Sequence, residues 1–182
     1  MKCTQSCDHC GFSCSPSNKE MMTWKTAANI NRFLQSNHID YVNVMGGEFF
    51  CNPEWLEVLT FLGWDRKMRL VTNGDWAPNN GIRNGILTLA SKIPRLIIAI
   101  SYDKWHESKH VIQARDFLNN NGIHCETAEW NGTEGVIPVG RAEFEYGTYS
   151  SHACYCEEPW RKYSIMKAGS SSACLVCTNS PT

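Results

Sequence analysis

The chain has 182 residues, 42% hydrophobic and 19% charged, a balance that fits one globular domain with a real core and excludes a disordered chain. Its formal net charge is −1, so no basic field points to nucleic acid. The longest apolar runs are too short to cross a bilayer, and Met1-Lys2-Cys3 leaves no room for a secretory signal, so the expectation is a cytoplasmic protein with no membrane partner.

Cysteines come first along the chain: Cys3, Cys7, Cys10 and Cys14, with Pro16 in a turn-like stretch that closes the loop. Glu20 to Asn37 reads as a helix with Trp24, Ala27, Ile30 and Leu34 on one face. Asp40 to Met45 carries a short strand that ends at a double glycine. Pro53 opens a second helix with a stripe of Trp55, Leu56, Leu59 and Leu62. Met68 to Thr72 is a strand stopped by Asn73-Gly74, and Ile82 to Ile93 is a helix with Ile86, Leu89 and Ala90 inward. The continuous apolar run within Arg95 to Ser101 suits a strand buried on both faces. Asp103 to Asn120 reads as a fourth helix, and Ile123 to Ala128 and Val136 to Val139 as two more strands, the last an edge strand because of Pro138.

Strands alternating with helices imply βαβ units and a parallel sheet whose C-terminal strand ends share one rim. Glu48, Asn73, Ser101 and Glu126 all fall at or near those ends. The fold class is therefore α/β, a partial (β/α) TIM-like barrel over residues 1–146, followed by a small Cys-rich metal-binding tail over residues 147–182.

Ten cysteines in a reducing compartment favour metal binding over disulfides. Cys3, Cys7 and Cys10 are spaced C-x-x-x-C-x-x-C. Three thiolates on one tight loop can hold three irons of a 4Fe–4S cube and leave the fourth open to a substrate, although short cysteine clusters also bind zinc. In the tail, Cys154-x-Cys156 and Cys174-x-x-Cys177 can enclose one metal fully, either a second 4Fe–4S cluster or zinc, with Tyr163 to Met166 as a hairpin candidate between them. Cys51 and Cys125 stand alone and read as small hydrophobes.

Cysteine loop, helix, strand and then Met45-Gly46-Gly47-Glu48 resembles the radical S-adenosylmethionine (SAM) superfamily, from Cys3 to about Arg141. The resemblance implies that Cys3, Cys7 and Cys10 ligate a 4Fe–4S cluster whose open iron is chelated by SAM. It implies reductive cleavage of SAM to a 5′-deoxyadenosyl radical that abstracts hydrogen from a substrate, fed by an electron donor of the reductase or flavodoxin type. Gly46 and Gly47 would let the backbone approach a ligand, and Glu48 would take the methionyl ammonium of SAM; the alternative is an ordinary strand-to-helix turn. Ser101 and Asp103 would contact the ribose, or form an N-cap pair. Asn73 in Val71-Thr72-Asn73-Gly74 follows a family pattern, or is a turn residue. Val139-Gly140-Arg141-Ala142 resembles the segment near the adenine, and Glu126 is a further candidate. His9 stands where an aromatic residue is common in the family, and either donates to the cluster or SAM or packs. No residue is singled out as catalytic.

Superfamily members usually have a strand before the cysteine loop; here only Met1 and Lys2 precede Cys3, so either that first strand is lacking or the chain begins at an internal start. The tail resembles the SPASM-type and twitch-type extensions of peptide-modifying members, which implies a peptide or protein substrate. Other readings are a glycyl-radical-type activase and a non-catalytic zinc or iron–sulfur binding module. His106-Glu107-Ser108-Lys109-His110 also matches H-E-x-x-H, which on one helix would bind zinc with Glu107 as base; no clear third ligand follows.

Overall fold

The computed structural model describes residues 1–10, 12–103, 105–106 and 109–130. Four strands, β1 (Tyr41–Val44), β2 (Lys67–Thr72), β3 (Leu96–Asp103) and β4 (Cys125–Trp130), form one parallel sheet in the order β1-β2-β3-β4. Val44 stands opposite Leu70, Thr72 opposite Ile100 and Asp103 opposite Trp130. Four helices accompany them: α1 (Trp24–Ser36), α2 (Trp55–Gly63), α3 (Asn80–Lys92) and α4 (Lys109–Asn120). This is α/β architecture, because parallel neighbours need helical crossovers. Among the described residues it is a four-stranded sheet, and the strand expected over Val136–Val139 lies outside them, as does the whole of the tail. No described helix is long and apolar enough to cross a membrane.

The sheet's helix-facing surface carries the core. Met68 and Leu70 on β2 and Ile98 and Ile100 on β3 are buried with Val58, Leu59 and Leu62 of α2, Ile86 and Leu89 of α3, and Ala114 and Leu118 of α4. Residues Leu96 to Ile100 are buried on both faces, as their unbroken apolar run requires. Beneath α2, Arg66 is buried and donates to Asn31 Oδ1, to the carbonyls of Leu62 and Ile39, and to Asp65, fastening α1, α2 and the start of β1 to one another. Gly85 leaves room for Trp55, whose ring would lie 2.5 Å from an added Cβ.

Two helix starts lie furthest from the sequence expectation. α1 begins at Trp24, not Glu20, because the Thr23 hydroxyl caps it by accepting from Thr26 N–H. The preceding carbonyls are taken elsewhere: Glu20 accepts from Lys2 N–H and Met22 from the Asn52 amide. Trp24, expected inward, lies exposed at the helix start, edge-on to Phe61. α4 begins at Lys109, not Asp103, because β3 stays paired with β4 through Asp103.

Candidate functional site

The cysteine loop is docked on the C-terminal ends of β1 and β2. Glu48, just past β1, donates its N–H to the Lys2 carbonyl, and an isolated parallel bridge joins Lys2 to Ser15. Met1 and Lys2 thus lie beside the end of β1 as a short extended segment. Gly47 makes this possible, since a Cβ there would stand 2.0 Å from the Lys2 oxygen. Gly46 adopts φ +130°, which glycine tolerates, and a Cβ would meet the Met1 side chain. The close approach that the double glycine permits is therefore, in this structure, an approach of the chain's own N-terminal backbone.

The turn after β2 clamps the loop from the other side. Asn73 donates from Nδ2 to Thr4 Oγ1 at 2.8 Å, and the same nitrogen lies 3.8 Å from Cys3 Sγ. Asp75 Oδ2 accepts from Thr4 Oγ1 at 2.6 Å and from Gln5 Nε2 at 2.9 Å. Asn73 Oδ1 accepts from Asp75 N–H, which fixes the turn. Thr4, Gln5 and Asp75 are site residues that sequence reasoning misses. A lone Asp after Asn-Gly carries no signal beyond a turn, and its partners are about 70 residues away in the chain.

Glu48 is buried at the centre of this arrangement, with 4% of its surface exposed. Its Oε2 accepts from Thr72 Oγ1 and from Asn73 N–H, both at 2.9 Å, and its Oε1 from Phe50 N–H at 3.4 Å. Trp76 Nε1–H and Gly74 N–H in turn donate to Thr72 Oγ1, so the network is closed on that side. Burial pushes the carboxyl up to about 7, only partly offset by these donors. Among the described residues no cation is paired with it.

Asp103 and His106 form a second, partly buried group. The Asp103 carboxylate accepts from the backbone N–H of Trp105 and of His106, and both its oxygens lie 2.9 Å from His106 Nδ1. The far nitrogen of the ring, Nε2, is 3.6 Å from Cys7 Sγ. His9 stacks on Trp105 with centroids 4.0 Å apart, and its Nδ1 is buried without a hydrogen-bond partner. Burial holds its imidazole below the usual histidine range. Ligand atoms of His9, Asp103 and His106 all lie within 4.8 Å, a spacing a single ion could bridge, but the Asp103 oxygens are already engaged by three N–H groups. The H-E-x-x-H pattern does not become a helical zinc pair. His106 lies in the turn before α4 and faces Cys7, whereas His110 is on α4 and lies 3.5 Å from Asp75; Glu107 lies outside the described residues.

The remaining thiols divide by environment. Cys3, Cys7 and Cys10 are half-buried and free of disulfides. Burial pushes the Cys3 thiol up, with hydrogen bonds from the Gln5 and Thr4 backbone opposing it. Cys14 is fully buried; its N–H donates to Cys10 Sγ, and hydrogen bonding to Cys10 together with burial raises its thiol strongly. An open cavity of about 280 Å³ lies against Cys7, lined also by Gln5, Ser6, Asp8 and Trp105.

Of the residues expected in the site, Cys3, Cys7, Cys10, Gly46, Gly47, Glu48 and Asn73 come together, and Asp103 reaches them through His106 and Cys7. Ser101 sits two residues before Asp103 at the same strand end, half-buried. Glu126 accepts from Arg69 Nε at 2.8 Å in an ion pair between β4 and β2. Arg141 and Cys154, Cys156, Cys174 and Cys177 lie outside the described residues.

A stretch of 108 residues is 26% identical to a protein of Bacillus subtilis (strain 168) named "Putative peptide biosynthesis protein YydG". The match covers 58% of this chain and 34% of that protein, so the chain spans about a third of the length of the relative it matches. No family model matches the chain.

Proposed function

We propose that this chain is an enzyme of the radical SAM type that acts on a peptide. The observation that carries the reading is the seating of the C-x-x-x-C-x-x-C loop over the C-terminal ends of β1 and β2, beside Glu48 and Asn73. The donor set fits a 4Fe–4S cluster. Three half-buried thiols outside any disulfide share one loop, an amide nitrogen reaches one of them, and His9 Nδ1 is a buried polar atom without a hydrogen-bond partner. When bound, such a cluster supplies the electron that reductive cleavage of SAM requires.

The chain's own groups then divide the work of binding. Cys3, Cys7 and Cys10 hold three irons, and Asn73, Thr4 and Asp75 hold the loop that carries them. Glu48 receives the ammonium of SAM: a cation beside a buried carboxyl favours its ionised form and gives the remaining lone pair on Oε1 a charge-assisted donor. Ser101 and Arg141 are the proposed partners of the rest of SAM. Asp103, with its oxygens on His106 and two backbone N–H groups, positions rather than binds. The peptide substrate is supported by the name of the matched relative and by the cysteine-rich segment 147–182. That segment is proposed to bind a second 4Fe–4S cluster or zinc, and the electron to come from a reductase or flavodoxin-type donor.

SAM turnover is the test. With dithionite, the anaerobically reconstituted protein is expected to release 5′-deoxyadenosine slowly without a peptide. Glu48→Ala is expected to weaken SAM binding while iron content holds. Iron-loaded protein that yields no 5′-deoxyadenosine would contradict the proposal, and Glu48→Ala that loses iron yet binds SAM normally would contradict the role of Glu48.

A further inference from the structure

We propose that the Asn73 side-chain amide is a hydrogen-bond donor to the Cys3 sulfur and raises the reduction potential of the cluster on that loop; this rests on the cluster reading above. Asn73 directly follows β2 and is buried, with 6% of its surface exposed. Its backbone N–H is taken by Glu48 Oε2, which fixes where the side chain starts. The amide is held in one orientation. Asp75 N–H can only donate, and it meets Oδ1 at 3.0 Å. Nδ2 is therefore the end turned toward the loop, with two hydrogens to place. One goes to Thr4 Oγ1 at 2.8 Å. The other has Cys3 Sγ, 3.8 Å from the nitrogen, as its acceptor among the described residues, in a contact between residues 70 apart in the chain. A buried N–H without an acceptor is costly, so the sulfur completes the amide.

An amide N–H does not titrate, so this donor is present whatever the protonation of its neighbours. A metal-bound Cys3 is a thiolate, which offers such a donor only lone pairs. Backbone N–H groups serve the same loop: Cys14 N–H donates to Cys10 Sγ at 3.3 Å, with Ser13 before it in the left-handed region at φ +49°. Asn73 differs in coming from the sheet, so the end of β2 acts on the charge of the loop sulfurs as well as on their position. Reduction adds one electron from the reductase or flavodoxin-type donor; no bond at Asn73 forms or breaks, and no proton moves. The added charge is shared by the sulfurs, so a donor at Cys3 stabilises the reduced state more than the oxidised one and raises the potential. Asn73 acts through Cys3 and is a positioning residue.

Potentiometry on the full chain tests it, following the electron-spin signal that disappears in the Cys3→Ala/Cys7→Ala/Cys10→Ala triple variant. Asn73→Ser is the informative change, because a serine hydroxyl still accepts from Asp75 N–H in the turn but is too short to reach Cys3. It is expected to keep its iron and to lose about threefold in the equilibrium constant for reduction, which is about 28 mV downward for one electron. Thr4→Val removes the other partner of Nδ2 and leaves the N–H on Cys3, so its potential is expected to match wild type. A merely structural role would lower loading or stability in both variants and leave the potential of the loaded fraction in place. An unchanged potential in iron-loaded Asn73→Ser overturns this proposal and leaves the proposed function standing. An equal shift in Thr4→Val does the same, since it traces the effect to the hold on the loop. Should Thr4→Val hold no iron, Asn73→Ser decides alone. Asn73→Ser protein that holds no iron also overturns it, because Asn73 would then fasten the loop and not tune it. Wild-type protein with no iron on Cys3, Cys7 and Cys10 overturns both this proposal and the proposed function.

Discussion

Glu48 shows how a single residue can carry both a cost to the fold and a readiness to bind. Its carboxyl, raised from an ordinary 4.5 to about 7 by burial, holds its proton more tightly in the folded chain than in the unfolded one. Below about pH 4.5 both states are protonated and the group is neutral to stability. As pH climbs through this window the unfolded chain ionises first, so folding loses up to about 3 kcal/mol by pH 7 and above. Urea melts of the metal-free chain against Glu48→Gln at pH 5 and pH 8 read this directly. The variant is expected to gain on wild type between the two, and parallel curves would contradict it. Gly47 sits one residue earlier and makes a different prediction. In Gly47→Ala the new Cβ would displace the Lys2 carbonyl and break its bond with Glu48 N–H. Alkylation of Cys3 in metal-free protein should then speed up several-fold, while an unchanged rate would mean the segment is not held there.

At the scale of elements, the clasp around Arg66 is the most exposed to test. Arg66→Met would leave Asn31 Oδ1 and the Ile39 carbonyl without this donor in a buried place, at a cost of about 3 kcal/mol. A denaturant midpoint shifted by less than a quarter of that would show that water replaces the guanidinium. Elements built on local pattern were legible: β3 from its unbroken apolar run, and α2 from its stripe. The starts of α1 and α4 were not, because they depend on what distant groups take up. Glu20 and Met22 give their carbonyls to Lys2 and Asn52, and Ser101 to Asp103 pair with β4 instead of entering a helix. The site divides the same way. The cysteine spacing, Gly46-Gly47-Glu48 and Asn73 are short-range patterns that a sequence displays. The clamp of Asp75 on Thr4 and Gln5, and the approach of His106 to Cys7, exist only once the sheet brings their loops together. The five-residue H-E-x-x-H match misleads for that reason: its spacing means a shared face only on a helix, and α4 starts after His106.

The described residues form a parallel sheet whose strand ends hold one cysteine-bearing loop in place from two sides, Lys2 on Glu48 and Thr4 and Gln5 on Asp75. The cysteines of segment 147–182 form a set separate in sequence, so the two sets should load independently. Deleting the residues after Gly147 is expected to remove the tail's metal and spare the loop's iron; loss of both would show that the loop site is incomplete without the tail. The central claim is that the loop holds an iron–sulfur cluster, and iron counted per chain after anaerobic reconstitution tests it most directly. The account predicts a brown protein from which the Cys3→Ala/Cys7→Ala/Cys10→Ala variant has lost about four irons. A colourless protein with stoichiometric zinc and no iron, or a triple variant with its iron content unchanged, would contradict it.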